Sequence, residues 1–231
     1  MKKYLFLMLA IIGMAVAFTA CSSDDDTAYI SLNKEDVSIL HGQSFTLKVT
    51  GTDEKPSFSS ENKLIADVDE NGVINGNHVG QTNIAVSTSG KTMQCKVTVM
   101  PVITFITDPY LNFGATYSDV KNAEKDKTPS TIDKVLDEDP NQLIIIRNID
   151  GLKYAYGYTF TNGKLTAAVI MVNFGLSTSK ATSFTNYLLE RFAVVTMIST
   201  TSYGLISPDK NIACIYNIST DITTAYFTQS K

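Results

Sequence analysis

The fold of the first third of the chain is decided by residues 65–76, IADVDENGVING. Short alternating runs flank Asn71-Gly72, and both of these residue types tolerate a positive φ. The pair therefore predicts a two-residue turn between the strands of a β-hairpin. Three further alternating runs, separated by Gly, Asn and Asp, lie at 45–49, 82–86 and 94–99. With no apolar stripe at helical spacing, residues 29–100 are predicted to form an all-β sandwich.

Residues 29–100 resemble a bacterial Ig-like domain of group 2 (BIG2). Besides residues 65–76, the likeness is carried by GQSFTL (42–47), SSEN (59–62), GQTNI (80–84) and CKVTV (95–99), in the order and spacing of the family. Phe58 stands where the family often has Trp. The resemblance implies a β-sandwich used in bacterial surface and adhesive proteins as a non-catalytic spacer or binding module.

The same hairpin also fits the opening of a calcium loop, with alternating oxygen side chains ahead of Gly72. The twelfth position of such a loop should be a bidentate Glu, but it is His78. Imidazole is a poor ligand for a hard cation, and the Ig-like hairpin already accounts for the motif. His41 and His78 have no Cys or Glu at ligand spacing. We therefore expect no metal site and no cofactor.

The N-terminus has the pattern of a bacterial export signal. Lys2 and Lys3 precede an uncharged apolar run at 4–17 that ends in small residues, which predicts a signal peptide over residues 1–20. The sequence FTAC at 18–21 resembles a lipobox, which implies that Cys21 is acylated and becomes the first residue of the mature protein. The alternative is ordinary secretory cleavage that leaves a free Cys21.

Residues 21–28 then form a short acidic tether. Ser22 after the cysteine resembles lipoproteins sorted to the outer membrane, and the acidic run at 24–26 resembles the surface-export signal of Bacteroidetes lipoproteins. Thr27, within DTA, resembles an O-glycosylation sequon of that phylum. These likenesses imply a lipid-anchored protein of the outer membrane, exposed on the cell surface. Simple solvation of the acidic run, with the protein facing the periplasm, is the alternative.

A second domain is predicted from 103 to 231, beyond Pro101. Thr116 and Asp119 have capping-box spacing and predict a helix to about residue 126. A second helix, capped at 177 or 178, runs to about 192. Strands are predicted at 102–106, 142–149, 152–161, 164–173, 194–199, 212–218 and 222–228. This order predicts an α+β domain, with an antiparallel sheet, two helices packed on one face and the other face open. Residues 111–121 resemble the start of a C-terminal domain common in Bacteroides-type lipoproteins that carry the Ig-like module.

Composition and side-chain chemistry exclude several function classes. With 19 Lys+Arg against 23 Asp+Glu and no basic cluster, the chain is not expected to bind nucleic acid. The C-terminal half has no histidine, and its carboxylates at 133–139 crowd one stretch that reads as a solvated helix or loop. We therefore expect no enzyme. Cys95 and Cys214 could form an interdomain disulfide, although their apolar strands favour buried free thiols.

The candidate binding residues lie on the strand 152–161. Alternation places Tyr154, Tyr156, Tyr158 and Phe160 on one face, and the turn at 150–151 sets Arg147 opposite Tyr154. The turn at 162–163 sets Phe160, Tyr158 and Tyr156 opposite Leu165, Ala167 and Val169, respectively. The opposite face carries Ala155 and Gly157 at its centre, with Ile144, Ile146, Ala168, Ile170 and Val172 around them. Because small residues let a helix approach, we assign the helices to that face and the tyrosines to the open side. The alternative is that the tyrosines are core and the faces are reversed.

These patterns predict a non-catalytic binding or adhesion role, with the Ig-like module as a stalk for the α+β domain. The expected partners are the membrane, through the lipid anchor, and a glycan or an envelope or surface protein that contacts the tyrosine platform. The second predicted function is that of a structural scaffold that docks a partner protein in the cell envelope. The third alternative is a degradative enzyme.

Overall fold

The computed structural model describes residues 29–127, 131–175 and 177–230. Cys21 and Thr27, together with the predicted signal peptide and tether, lie outside the described residues. None of the helices among the described residues is both long enough and apolar enough to cross a membrane.

The N-terminal module is all-β from residue 29 to residue 100. Its strands are β1 (Ser31–Leu32), β2 (Asp36–Leu40), β3 (Ser44–Thr46), β4 (Val49–Thr50), β5 (Ser57–Ser60), β6 (Ala66–Val68), β7 (Val73–Gly76), β8 (Gly80–Thr88) and β9 (Lys91–Met100). They form sheets of order β2-β9-β8-β5 and β3-β7-β6, with β1 paired to β4. The inward-facing residues of these strands form one buried hydrophobic core, which includes Ile74, Ile84, Val86, Cys95 and Val97. The predicted sandwich is confirmed.

The predicted hairpin joins β6 to β7, but its turn is longer than the sequence indicates. Gly72 has φ +78°, whereas Asn71 does not adopt a positive φ. The backbone N–H of Gly72 donates to the carbonyl of Asp69 at 3.1 Å, and the Asp69 carboxylate accepts from the N–H groups of Asn71 and Val73 at 2.8 and 2.9 Å. These bonds, that of Val73 first, lower the pKa of Asp69. The carboxylate that suggested a calcium ligand thus closes the turn.

The described residues of the C-terminal module form two helices and eight strands. They are α1 (Tyr117–Lys125), β10 (Ile132–Leu136), β11 (Gln142–Ile149), β12 (Leu152–Thr161), β13 (Lys164–Val172), α2 (Thr178–Arg191), β14 (Ala193–Ser199), β15 (Ser202–Ile206), β16 (Ile212–Asn217) and β17 (Thr223–Gln229). The strands form one antiparallel sheet of order β10-β11-β12-β13-β17-β16-β15-β14. Strand β15 was not predicted, and β10 occupies part of the stretch expected to be a helix or loop. The strand predicted at 102–106 is wrong, since the N–H groups of Val102 and Ile103 donate to the Glu190 carboxylate and not to a neighbouring strand.

Local signals set the ends of several elements. Thr116 and Asp119 form the predicted capping box on α1, with the Asp119 N–H donating to Thr116 Oγ1 at 3.3 Å and the Thr116 N–H donating to Asp119 Oδ2 at 3.0 Å. Both residues of each tight turn, Asp150-Gly151 and Asn162-Gly163, have positive φ, as their hairpins require.

Both helices pack on one face of the sheet, as predicted, but it is the tyrosine face. The ring of Tyr117 in α1 lies 5.1 Å from that of Phe160, and the ring of Phe184 in α2 lies 6.0 Å from that of Tyr154. Val120, Phe184 and the inward residues of β11, β12 and β13 share one core. The assignment of faces made from the sequence is therefore wrong.

A register shift contributes to this error. Strand β13 contains one extra residue, Thr166, so Tyr158 pairs with Ala168 and Tyr156 with Ile170, while Phe160 pairs with Leu165 as predicted. Such a bulge moves every later residue of the strand to the other face. It therefore places three residues expected on the opposite face on the tyrosine side, namely Ala168, Ile170 and Val172.

The two modules contact each other directly where α2 ends. The backbone N–H of Val79 donates to the carbonyl of Glu190 at 2.7 Å, and the Asn62 side-chain amide donates to the carbonyl of Pro208 at 2.9 Å. The buried Glu190 carboxylate also accepts the N–H groups of Val102 and Ile103, each at 3.1 Å to Oε2. One residue of α2 thus holds both the sandwich and the segment that leaves it.

Candidate functional site

The predicted platform of four aromatic side chains and Arg147 is buried. Tyr156 and Arg147 expose 0% of their surface, and the other members are almost as inaccessible, at 2% for Tyr154, 2% for Tyr158 and 3% for Phe160. In these positions the side chains cannot contact a ligand from solution. The alternative interpretation, that the tyrosines belong to the core, is therefore the correct one.

The charge of Arg147 is paired inside the module with Glu124 from the last turn of α1. Arg147 Nη2 donates to Glu124 Oε2 and to the Glu124 carbonyl, both at 2.7 Å, and neither side chain is exposed. Tyr158 Oη donates to Glu124 Oε1 at 2.6 Å, and the N–H of Tyr110 donates to the same oxygen at 3.0 Å. Burial, and then the Glu124 charge, raise the pKa of Tyr158 well above its ordinary value. This buried ion pair holds α1 against the sheet.

Two further tyrosine hydroxyls hold the irregular segment 101–110 against the sheet and α2. Tyr156 Oη donates to the Thr107 carbonyl at 2.8 Å, and Tyr187 Oη donates to Asp108 Oδ1, also at 2.8 Å. Arg191 Nε donates to the same Asp108 oxygen at 2.7 Å, and its guanidinium lies 4.2 Å from the centre of the Tyr187 ring. The polar groups that suggested a binding platform are therefore used to fix a connection within the chain.

A cleft of about 650 Å³ opens beside this segment, between Phe105, Lys127 and Arg191. Its cations are already paired, since Arg191 contacts Asp108 and the Lys127 amine contacts the Glu124 carboxylate and the Asp108 carbonyl. Burial lowers the pKa of Lys127, and the Glu124 charge opposes that shift. The cations that line the cleft therefore stabilise the fold and are not free to bind a ligand.

Cys95 and Cys214 are free and buried, which confirms the buried thiols that their apolar strands favour over an interdomain disulfide. Cys95 lies in the core of the N-terminal module and Cys214 in that of the C-terminal module. Burial raises the pKa of the Cys95 thiol to about 11 and raises that of Cys214 as well. Among the described residues, no three His, Cys, Asp or Glu side chains cluster closely enough to hold a metal ion.

The sheet face opposite the helices presents a different surface, which we call the open face. On strands β13, β17 and β16 it consists of three rows of cross-strand neighbours, which are Met171, Thr224 and Asn217, then Val169, Tyr226 and Ile215, then Ala167, Thr228 and Ala213. Tyr226 is 43% exposed and Ile215 is 44% exposed, and none of the nine residues carries a charge. The centre of the open face is therefore apolar, with one accessible aromatic ring.

Sequence reasoning missed this surface because its strands meet only in the folded sheet. The pairing of β13 with β17 joins residues about sixty positions apart. A local signal was present in the alternation of β17, where Thr224, Tyr226 and Thr228 point away from the buried Ala225 and Phe227. That alternation did not show which side of the sheet the helices would cover.

Comparison with known proteins identifies the N-terminal module. The family model of the bacterial Ig-like domain (group 2) matches residues 18–99, about a third of the chain.

The similar solved structures include domains 4 and 5 of the S-layer protein SbsC, which are 24% identical over 31% of this chain and 51% of that chain, with a TM-score of 0.27. A mutant intimin of EHEC O157:H7 is 15% identical over 82% and 86%, with a TM-score of 0.26. A DUF4784 family protein from Bacteroides caccae is 10% identical over 84% and 65%, with a TM-score of 0.22. No curated protein matches significantly. The structural scores are too low to carry an argument, so the Ig-like assignment depends on the family match.

Proposed function

We propose that this chain is a non-catalytic binding protein, anchored by lipid to a bacterial outer membrane and exposed on the cell surface. The Ig-like module acts as a stalk, and the open face of the C-terminal module binds a partner protein. The leader and Thr19-Ala20-Cys21 support the anchor, and the family match to residues 18–99 supports the stalk. Thr27 remains a proposed glycosylation site in the tether.

The observation that carries the binding role is the uncharged centre of the open face. Its one exposed aromatic, Tyr226, lies between the aliphatic side chains of Val169 and Ile215. A sugar site usually separates aromatic rings by polar groups, whereas an aromatic anchor among aliphatic neighbours is typical of a protein contact. The open face therefore favours a protein partner over a glycan.

The contacts between the modules support the stalk. The backbone carbonyl of Glu190 accepts the N–H of Val79 in the sandwich, and its buried carboxylate accepts the N–H groups of Val102 and Ile103 in the connection. Hydrogen bonds to a buried carboxylate are stronger than those between neutral groups. The C-terminal module is thus fixed to the stalk, which sets the direction in which the open face points.

The binding role is tested with the chain from residue 22 onward, which contains every described residue. Immobilised wild-type protein should capture a partner from an envelope extract, and Ile215→Lys should weaken that capture at least about tenfold, because the charge is desolvated in the contact. Val102→Lys is the matched control, since Val102 is also exposed but belongs to the segment bonded to Glu190 of α2, a helix that packs on the other face of the sheet. A glycan array should stay blank. Equal capture by both variants would place the binding site elsewhere.

The anchor is tested separately. Replacing Cys21 with Ser should abolish the incorporation of labelled fatty acid, because the acylated thiol is lost. Ser22→Ala is the control and should keep the label. Labelling of the Cys21→Ser protein at the wild-type level would refute the lipid anchor, while protease resistance of the wild type on intact cells would refute surface exposure alone.

A further inference from the structure

Strand β14 forms an exposed edge of the eight-stranded sheet and, within the described part of the chain, pairs only with β15. Its four large apolar side chains are each more than half exposed, at 54% for Val194, 61% for Val195, 66% for Met197 and 57% for Ile198. The strand, AVVTMIS, contains no charged residue. A long apolar edge of this kind is unusual, because it offers free backbone groups to another strand.

The opposite edge of the same sheet is protected in the usual way. Strand β10 carries the charged Asp133 and Lys134, and Asp133 forms a salt bridge with Lys153 of β12 at 3.0 Å. Such charges discourage the pairing of one edge with another. Among the described residues, none forms a backbone hydrogen bond with the outer side of β14. The two edges differ in the feature that controls strand addition.

We propose that β14 is a self-association edge, at which two copies of this chain pair antiparallel around a twofold axis near Thr196. An antiparallel pair centred there sets Val194 against Ile198 and Val195 against Met197 of the other copy. Both of these pairs are apolar, so the strand is complementary to itself, as a twofold interface requires. The result is one continuous sheet across two molecules.

The chain itself offers a poor alternative occupant for this edge. The predicted tether at 22–28 contains three consecutive aspartates, and burying carboxylates against Val195 and Met197 would cost their hydration. The whole chain has a net charge of −4, which opposes association in general. An uncharged edge is where a second copy can approach with the least repulsion.

The geometry of β14 limits the size of this contact. Two register shifts, between Val194 and Thr196 and between Met197 and Ser199, bend the strand, so the shared ladder is short. Ile218 and Ile222 lie exposed at the adjoining turn, where the Ile218 N–H bonds to the Thr201 carbonyl at 2.8 Å. Together the six side chains expose several hundred Å² per copy, below the roughly 800 Å² of a standard interface. The dimer should therefore form in a concentration-dependent way.

Sedimentation of the chain from residue 22 onward tests the proposal. Between roughly 1 and 100 µM, a range typical of weak interfaces, the mean mass should rise from that of a monomer toward that of a dimer. Val195→Lys should raise the dissociation constant at least about tenfold, because each lysine faces the apolar Met197 of the other copy and the two lysines are diagonal neighbours of like charge. Val102→Lys, an exposed valine of the 101–110 segment, should leave it within about twofold. A constant monomer mass, or equal weakening by both variants, would overturn the proposal.

Cross-linking tests the edge with less change to the strand. On a twofold antiparallel pair the two Thr196 Cα atoms lie about 4.5–5.5 Å apart, within reach of a disulfide. Oxidised Thr196→Cys protein should form a covalent dimer, whereas Lys134→Cys on the opposite edge should remain monomeric. Because Cys95 and Cys214 are buried, they do not compete. Equal cross-linking of the two variants would refute the β14 assignment, and the proposed function does not depend on it.

Discussion

Replacing Arg147 with Met is expected to lower the free energy of unfolding of the C-terminal module by about 3–5 kcal/mol. The substitution leaves the Glu124 carboxylate buried without the guanidinium that donates to it at 2.7 Å, and the part-exposed Lys127 amine is the cation that still pairs with it. Removing one partner of a buried ion pair costs far more than the pair itself contributes, because the remaining charge has lost its hydration. The Arg147 contact with Thr131 Oγ1, at 3.3 Å, is also lost.

Urea unfolding followed by circular dichroism measures this change, with Lys153→Met as the matched control. Lys153 lies on the neighbouring strand, and its salt bridge to Asp133 is exposed, so its loss should barely move the midpoint. The double variant Glu124→Gln/Arg147→Met should recover part of the lost stability, since the stranded charge is gone while an acceptor for Tyr158 remains. A double variant no more stable than Arg147→Met would show that the penalty does not come from the Glu124 charge.

The Glu124–Arg147 cluster explains why an aromatic stripe with an arginine belongs to the interior here. The segment 101–116 contains no helix or strand, so its backbone groups need partners other than a ladder. Tyr156 and Tyr158 supply them, through bonds to the Thr107 carbonyl and the Tyr110 N–H. Side chains with an apolar body and a polar tip suit this task, because the ring fills the core while the hydroxyl reaches the segment.

The local features of this fold could be predicted from sequence because they depend on neighbouring residues. Asp150-Gly151 and Asn162-Gly163 adopt the positive φ values of tight turns, and Thr116 caps α1 through Asp119. The turn at Gly72 was correct in place but not in length, since the Asp69 carboxylate closes a longer loop. Side-chain capping of a turn is harder to infer than the turn itself.

What could not be predicted depends on contacts between distant residues. Thr166 alone changes which residues of β13 face the helices, and nothing in its neighbourhood marks it as a bulge. The polar stretch around Asp133 becomes strand β10 because β11 offers it an edge, a tertiary effect that overrides local propensity. The choice between the two sheet faces was decided by helix packing, so the candidate site inferred from Tyr154, Tyr156, Tyr158, Phe160 and Arg147 was placed on the wrong side.

Replacing either of two tyrosines on opposite sheet faces with Ala should have different effects on stability, because one ring is in the core and the other is on the open face. Tyr156→Ala is expected to lower the free energy of unfolding by about 3–5 kcal/mol, because a fully buried ring leaves a cavity beneath the helices. It also leaves the Thr107 carbonyl without the hydroxyl that donates to it at 2.8 Å. Tyr226→Ala, on the adjacent part of the sheet, removes a ring that is 43% exposed and should cost much less stability.

Thermal unfolding of both variants, together with capture of the partner from an envelope extract, tests this expectation. Tyr226→Ala should keep its melting temperature near that of the wild type and lose binding. If Tyr156→Ala instead melts like the wild type, the tyrosine face is not the packed face, and the open face must be sought on the other side of the sheet.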